Sequence, residues 1–219
     1  MKKKFYFLTL TLLPLFSLAQ FKFGVQGGFA LAKTQTNSSI KFTTQDYRLG
    51  PIVGVMAGIN LGDSHLSIMQ EANYVAKGVR FIGTDQSSAI PTSVKGTHST
   101  HWVELPLNLL YYLPVGNGHF FFGGGPYAAF GLKAKYKITY QVDPSPEVEE
   151  TIIKFGSAVN DIKRFDYGVH GLIGYKLGYG SYLKAFYSHG LADLSNIPGV
   201  KYSNRYFGLS FGYFFNSGR

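Results

Sequence analysis

The sequence predicts an all-β fold, in which eight antiparallel strands run up and down to close a transmembrane barrel with its apolar face outward. Three observations predict it. After the first twenty residues, almost every segment alternates apolar and polar side chains with a period of two. The connections alternate, without exception, between tight turns and longer polar loops. Aromatic side chains mark both ends of the apolar face, whereas glycine and small residues crowd the other face.

The chain opens on Lys2, Lys3 and Lys4, followed by an apolar stretch over residues 5–18 and by Ser17 and Ala19 as the small residues of a cleavage site. This is the pattern of a secretory signal peptide. The apolar part is too short for a membrane helix, and Pro14 interrupts it. Residues 1–19 are therefore expected to be a signal peptide cleaved after Ala19, and residues 20–219 a single barrel domain.

The formal net charge of +9 includes the three leader lysines, and the remaining excess forms no basic block. Nucleic acid is not an expected partner. With no cysteine, an exported chain has neither disulfides nor thiolate metal ligands, so its stability must come from burial and backbone hydrogen bonds. With 27 Gly, 16 Tyr and 19 Phe against only 15% charged residues, the composition suits a wall with a lipid side and a crowded interior.

The first three strands are expected over residues 21–33, 49–61 and 65–82. The fourth, over 100–113, places Val103, Leu105, Leu107, Leu109 and Tyr111 on one face, opposite Glu104 and Asn108. The fifth covers 119–140. The sixth, over 164–177, sets Phe165, Tyr167, Val169, Ile173, Tyr175 and Leu177 against Asp166, His170 and Lys176. The seventh covers 181–194. The eighth, over 202–216, sets Phe207, Leu209, Phe211, Tyr213 and Phe215 against Asn204, Gly208, Ser210 and Gly212.

Tight connections fall at Gly62-Asp63-Ser64, residues 114–118 and Gly178-Tyr179-Gly180; long ones fall at 34–48, 83–99, 141–163 and 193–201. An outer-membrane barrel has this asymmetry, with short periplasmic turns and longer extracellular loops. An even strand count puts both termini on the periplasmic side.

Within the fifth strand, the run FFFGGGPYAAFG over 120–131 could be read as a phosphate loop, but such a loop opens a helix and none is coded. As a strand it turns Phe120, Phe122 and Phe130 outward. Gly123, Gly125 and Gly131 turn inward to make room for bulky lumen neighbours, and Pro126 marks a bulge or a gap in the ladder. A membrane helix over 105–132 is excluded by Pro106, Pro114 and Pro126 together with its many Asn and Gly residues.

A soluble lipocalin-like barrel also alternates, but with its apolar face inside. Two aromatic girdles favour the membrane: Phe21, Phe23, Tyr111, Phe120, Phe122, Tyr213 and Phe215 near the turns, and Tyr74, Phe130, Phe165, Tyr167 and Phe207 nearer the loops.

The blocks VELPLNLLYYL, GGGPYAAFGLKAKY, DIKRFDYGVHGLIGY, AFYSHGLADL and YFGLSFGYFF, with IMQEANYVAKGVRF as a third strand, resemble in their order the outer-membrane β-barrel domain family of Gram-negative bacteria, labelled porin family or PorT family. The resemblance covers essentially the whole mature chain. It implies an eight-stranded outer-membrane barrel without an established activity, one branch of the family being an accessory of type IX protein secretion. It transfers no catalytic residues.

Four places in the sequence invite a chemical reading. Gly208-Leu209-Ser210-Phe211-Gly212 fits G-x-S-x-G, yet no Asp, Glu or His follows it, and a nucleophile elbow needs both an acid and a histidine later in the chain. It reads better as an assembly signal in the last strand. Asp166 and His170 share a strand face but stand about 13 Å apart at about 3.3 Å per residue, too far to complete a triad with Ser188. His98 and His101 lack a third ligand and read as two exposed loop histidines rather than a metal site. The interior carboxylates Glu71 and Glu104 require cations, for which Lys22, Lys77, Lys133, Lys176 and Lys184 are the candidates; which of them pair depends on barrel shear.

The sequence thus predicts no catalytic residues, no cofactor and no metal. It predicts a structural polar cluster in the lumen, made of Glu71, Glu104, Asn108, His170 and Lys184, with Tyr127 also inward. The expected role is a non-enzymatic outer-membrane protein, structural or surface-interacting. The alternatives are a PorT-like accessory of a secretion system and a lipid-modifying enzyme. Outer-membrane lipid and lipopolysaccharide, the barrel assembly machinery during insertion, and envelope proteins docked on the long loops are the expected partners.

Overall fold

The computed structural model describes residues 21–36, 44–62, 64–85, 92–140, 145 and 147–215. The predicted signal peptide lies outside the described residues, as do parts of the predicted loops at 34–48, 83–99 and 141–163.

Eight strands close a ring. They are β1 (Phe21–Thr36), β2 (Thr44–Asn60), β3 (Leu66–Asp85), β4 (Thr92–Val115), β5 (Gly118–Tyr140), β7 (Phe165–Leu177), β8 (Ser181–Gly190) and β9 (Tyr202–Phe214), with β6 (Glu147–Ile153) outside it. Each ring strand pairs antiparallel with its neighbours, and β1 pairs with β9 to close the circle. The predicted eight-stranded barrel is therefore the observed one. The addition is β6, which pairs only with the Ala134–Tyr140 end of β5, inside a segment expected to be a polar loop. Residues 83–85 and 92–99, also expected in a loop, are strand as well.

The polarity of the wall is inverted relative to a soluble protein. Leu105, Leu107 and Leu109 are 47%, 44% and 50% exposed, while Lys77, Glu104 and Asn108 beside them are fully buried at 0%. Water would penalise both halves of that pattern; a hydrocarbon exterior removes the first penalty, and mutual pairing inside removes the second.

β4 has 24 residues and β5 has 23, whereas a tilted transmembrane strand needs about 9–11. At about 3.3 Å per residue β4 is about 80 Å long. The loop-end halves of β3, β4 and β5, together with β6, therefore stand clear of the hydrocarbon as a ridge.

Prolines interrupt the ladder without breaking the ring. Opposite Pro126 the β4–β5 pairing skips from Pro106↔Tyr127 to Leu109↔Gly124, while the β5–β7 pairing runs through it unbroken. Of the two readings of Pro126, the gap is the one observed. The bulge in this hairpin lies instead at His101/Trp102, opposite Leu132. The inward glycines divide by neighbour. A Cβ on Gly123 or Gly125 would strike the backbone carbonyl of Leu109 or Leu107, whereas one on Gly131 would strike the Phe155 ring. Only the last makes room for a bulky neighbour, as do Gly208 under Phe186 and Gly212 under Tyr182.

Candidate functional site

The inward faces fill the barrel with layers rather than leaving a channel. Alternation along β1, β3, β4, β7 and β8 sends Gln26, Glu71, Asn73, Asn108, His170 and Lys184 inward, and all six are buried. The Lys184 ammonium donates to Glu71 Oε1 at 2.5 Å. Glu71 also accepts from Gln26 Nε2 at 2.6 Å, Asn73 Nδ2 at 2.9 Å and Asn108 Nδ2 at 3.3 Å. A buried carboxylate with four donors, one of them cationic, meets the condition under which a charge survives burial.

A second ionic layer lies toward the loops. Lys77 pairs with Glu104, and its Nζ is 3.6 Å from Asp166 Oδ2. Tyr206 donates to Glu104, and Asn204 Nδ2 donates to Asp166 Oδ2 at 2.9 Å. The same ammonium faces the rings of Tyr206, Trp102 and Tyr127 at 4.8, 5.5 and 5.5 Å. The aromatic faces add cation–π attraction where water is excluded.

Phe186 separates the two layers. It stacks on His170 at 4.8 Å and meets Tyr206 edge-on at 5.7 Å. Toward the turns, Tyr112, Phe121, Tyr182 and Phe214 pack as an aromatic layer, and the Tyr182 hydroxyl donates to Gln26 Oε1 at 2.8 Å. Toward the loops, Trp102 meets Phe155 edge-on, and Ile162, Ala192 and Leu194 bury against them. Phe155 and Ile162 come from a segment read as a polar loop, whereas Ala192 and Leu194 come from the end of the predicted seventh strand, which the structure stops at Gly190. Their backbones join through Lys163 N–H to the Leu194 carbonyl at 3.0 Å, so two loops form one lid.

The predicted site residues therefore fall into two groups. Glu71, Asn108 and Lys184 share one network, and His170 lies beside it, with Nδ1 2.8 Å from Ser188 Oγ. Glu104 belongs to the other layer. Asp166 does not orient His170; it serves Lys77 and Asn204. Of the candidate cations, Lys184 and Lys77 pair with the carboxylates, and Lys22 and Lys176 line a cavity at the turn end. Lys133 is exposed, because the bulge at Leu132 reverses the alternation.

The histidine reading needs correction. His98 and His101 are both in β4; His98 is buried between Tyr136 and Tyr202, while His101 points outward to the Tyr74 hydroxyl at 2.5 Å. Three residues apart in a strand, they face opposite sides and cannot share an ion. Among the described residues no group of three potential ligands is close enough to hold a metal. Sequence reasoning missed Gln26, Asn73, Trp102, Asn204 and Tyr206 as lumen partners, although strand alternation marks Gln26, Asn73 and Asn204 as inward.

A family model of the outer membrane protein β-barrel domain matches residues 16–196. No curated protein matches the chain. Among solved structures, OprG of Pseudomonas aeruginosa aligns at 16% identity and a TM-score of 0.45, over 89% of this chain and 95% of that one. Ail of Yersinia pestis aligns at 10% identity and 0.39, over 89% and 99%. Neisserial surface protein A aligns at 13% identity and 0.37, over 87% and 96%.

Proposed function

The chain belongs to the outer membrane protein β-barrel domain family, and from that premise we propose that it works in the outer membrane as a closed, non-enzymatic barrel whose role is structural or is carried by its loop-end surface. The observation that carries this reading is the occupied lumen: an aromatic layer toward the turns, two ionic layers divided by Phe186, and a two-loop lid follow one another along the barrel. In this reading the described residues leave solutes no continuous path. Ser188, whose Oγ lies 2.8 Å from His170 Nδ1, is fully buried.

In this reading the tight turns and both termini lie in the periplasm, and the β3–β6 ridge faces outward from the cell. The ridge supports a surface role because it extends well past the bilayer and keeps Val148 and Ile152 51% and 66% exposed on β6. Apolar side chains that adjoin on a surface in water offer contact area to a partner.

The test has two parts. A single cysteine at Glu149 should react with a membrane-impermeant maleimide on intact cells, whereas one at Asn117 should react only after the outer membrane is permeabilised. The purified protein in planar bilayers should give no stable conductance of nanosiemens scale. Reversed labelling would invert the orientation, and a large reproducible conductance would overturn the closed lumen.

A further inference from the structure

At the turn end, below the aromatic layer, the lumen opens into a cavity of about 160 Å³. Lys22 from β1, His119 from β5 and Lys176 from β7 enter it from the wall, with His65 on the turn before β3. His119 and Lys176 are cross-strand partners. None of the described lining residues is acidic.

Both lysines are half-buried. Lys22 reaches Asn60 Oδ1 at 3.3 Å, and Lys176 lies 5.6 Å from the centre of the Phe214 ring; among the described residues no carboxylate forms a salt bridge with either. Partly desolvated like charges facing one space repel, and an anion between them removes that cost.

The neutral groups are arranged the same way. Asn60 Oδ1 accepts from both Lys22 and Ser67, the latter at 2.8 Å, which leaves the Asn60 amide N–H groups to donate. The Tyr112 ring packs edge-on against His119 at 6.4 Å and closes the cavity floor. A set of cationic and neutral donors lining one small space suits a tetrahedral oxyanion.

We propose that this vestibule binds a phosphate group, supplied either as free phosphate or as the phosphodiester of a lipid headgroup at the membrane surface. The aromatic floor makes it a binding site and not the entrance of a pathway.

The experiment uses the full mature barrel refolded in a zwitterionic sugar-free detergent that contains no phosphorus, and reads ³¹P line broadening during titration. One arm adds inorganic phosphate, and the other adds short-chain phosphatidylglycerol. Saturable broadening in either arm supports the site and names its source. Affinity should fall about tenfold or more in Lys22→Gln/Lys176→Gln, the size expected when about 1.4 kcal/mol is lost, while Lys201→Gln at the loop end should bind as the parent does. Folding of each variant is checked by its heat-dependent gel shift; the double variant relieves repulsion and should fold at least as well.

Asp63 follows Gly62 in the sequence and lies outside the described residues. Asp63→Asn should leave affinity within about threefold, well under the 1.4 kcal/mol of a tenfold change; a larger gain would identify a built-in counterion and overturn the proposal. So would unsaturable broadening in both arms, an unchanged double variant, or equal competition by acetate and chloride.

Discussion

Lys184 on β8 and Glu71 on β3 meet across the lumen at 2.5 Å, linking strands 113 positions apart in the chain. Removing only the ammonium leaves a carboxylate that still has three neutral donors but no cation. Lys184→Met should cost about 3–5 kcal/mol, the range for breaking one side of a buried pair. Glu71→Gln/Lys184→Met should regain much of that loss. Urea unfolding of the barrel refolded in detergent measures both; equal losses in the single and double variants would show that the pair is not coupled.

The wall and the filling make opposite demands one residue apart. Leu107 faces outward at 44% exposure, and Asn108 is fully buried. Leu107→Arg puts a charge on the lipid face, at a cost of about 2–4 kcal/mol near the midplane, and should impair folding into bilayers. Asn108→Ser should lose about 1 kcal/mol, because Nδ2 donates to Glu71. Cysteines placed singly at Leu105, Leu107 and Leu109 should report hydrocarbon to a lipid-restricted spin label, and cysteines at Glu104 and Asn108 should not. The reverse pattern would require a soluble barrel.

The ring and its polarity were legible in the sequence because both are local. A period of two says which way each side chain points, and turn chemistry says where strands reverse. The partners were not, because pairing across the lumen depends on shear and on bulges. Lys133 and Lys77 looked equivalent until one extra residue at Leu132 turned Lys133 outward. β6 escaped notice because an exposed edge strand with both faces in water has no apolar face to alternate, and Glu147, Glu149 and Glu150 made it read as loop. The lid was missed for a related reason: Phe155, Ile162 and Leu194 are scattered among polar residues without a period.

That lid should be acid-sensitive. Burial alone would raise the Asp193 carboxyl, but N–H bonds from Tyr202 and Ser195, each 3.1 Å to Oδ1, outweigh it and, with Lys163 and Lys201 nearby, hold it below its usual value near 3.8. A group depressed on folding contributes stability above its unfolded value and loses it as pH falls through the folded one. Amide exchange at Ser195 and Tyr202 should therefore be protected at neutral pH and lose protection below about pH 4, relative to the intrinsic rate. In Asp193→Ala the protection should be low at every pH. Protection that ignores pH in the parent would remove Asp193 from the lid.

Gln70 is an exposed amide on a face otherwise built for lipid, and its position beside Pro106 gives a reason. The β3–β4 ladder is interrupted between Gln70↔Leu107 and Asn73↔Glu104, the stretch that holds Glu71 and Pro106, and Pro106 has no N–H to give, so the pairing there is one donor short. Gln70 Nε2 donates to the Glu71 carbonyl at 2.9 Å and to the Pro106 carbonyl at 3.0 Å, placing a side chain where the backbone donor is missing. In hydrocarbon an unsatisfied carbonyl has no water to turn to. Gln70→Leu removes the donor but also removes a polar group from the lipid face, so its own effect is a difference of two opposed terms. Coupling is the cleaner observable. Pro106→Ala restores the N–H, after which the amide has one carbonyl fewer to serve. Gln70→Leu should therefore be less harmful, by about 1 kcal/mol, in the Pro106→Ala background than in the parent. Unfolding of the four proteins of the cycle from lipid vesicles measures this difference. Strict additivity would mean that Gln70 is not compensating for the proline, and the amide would then need a different explanation.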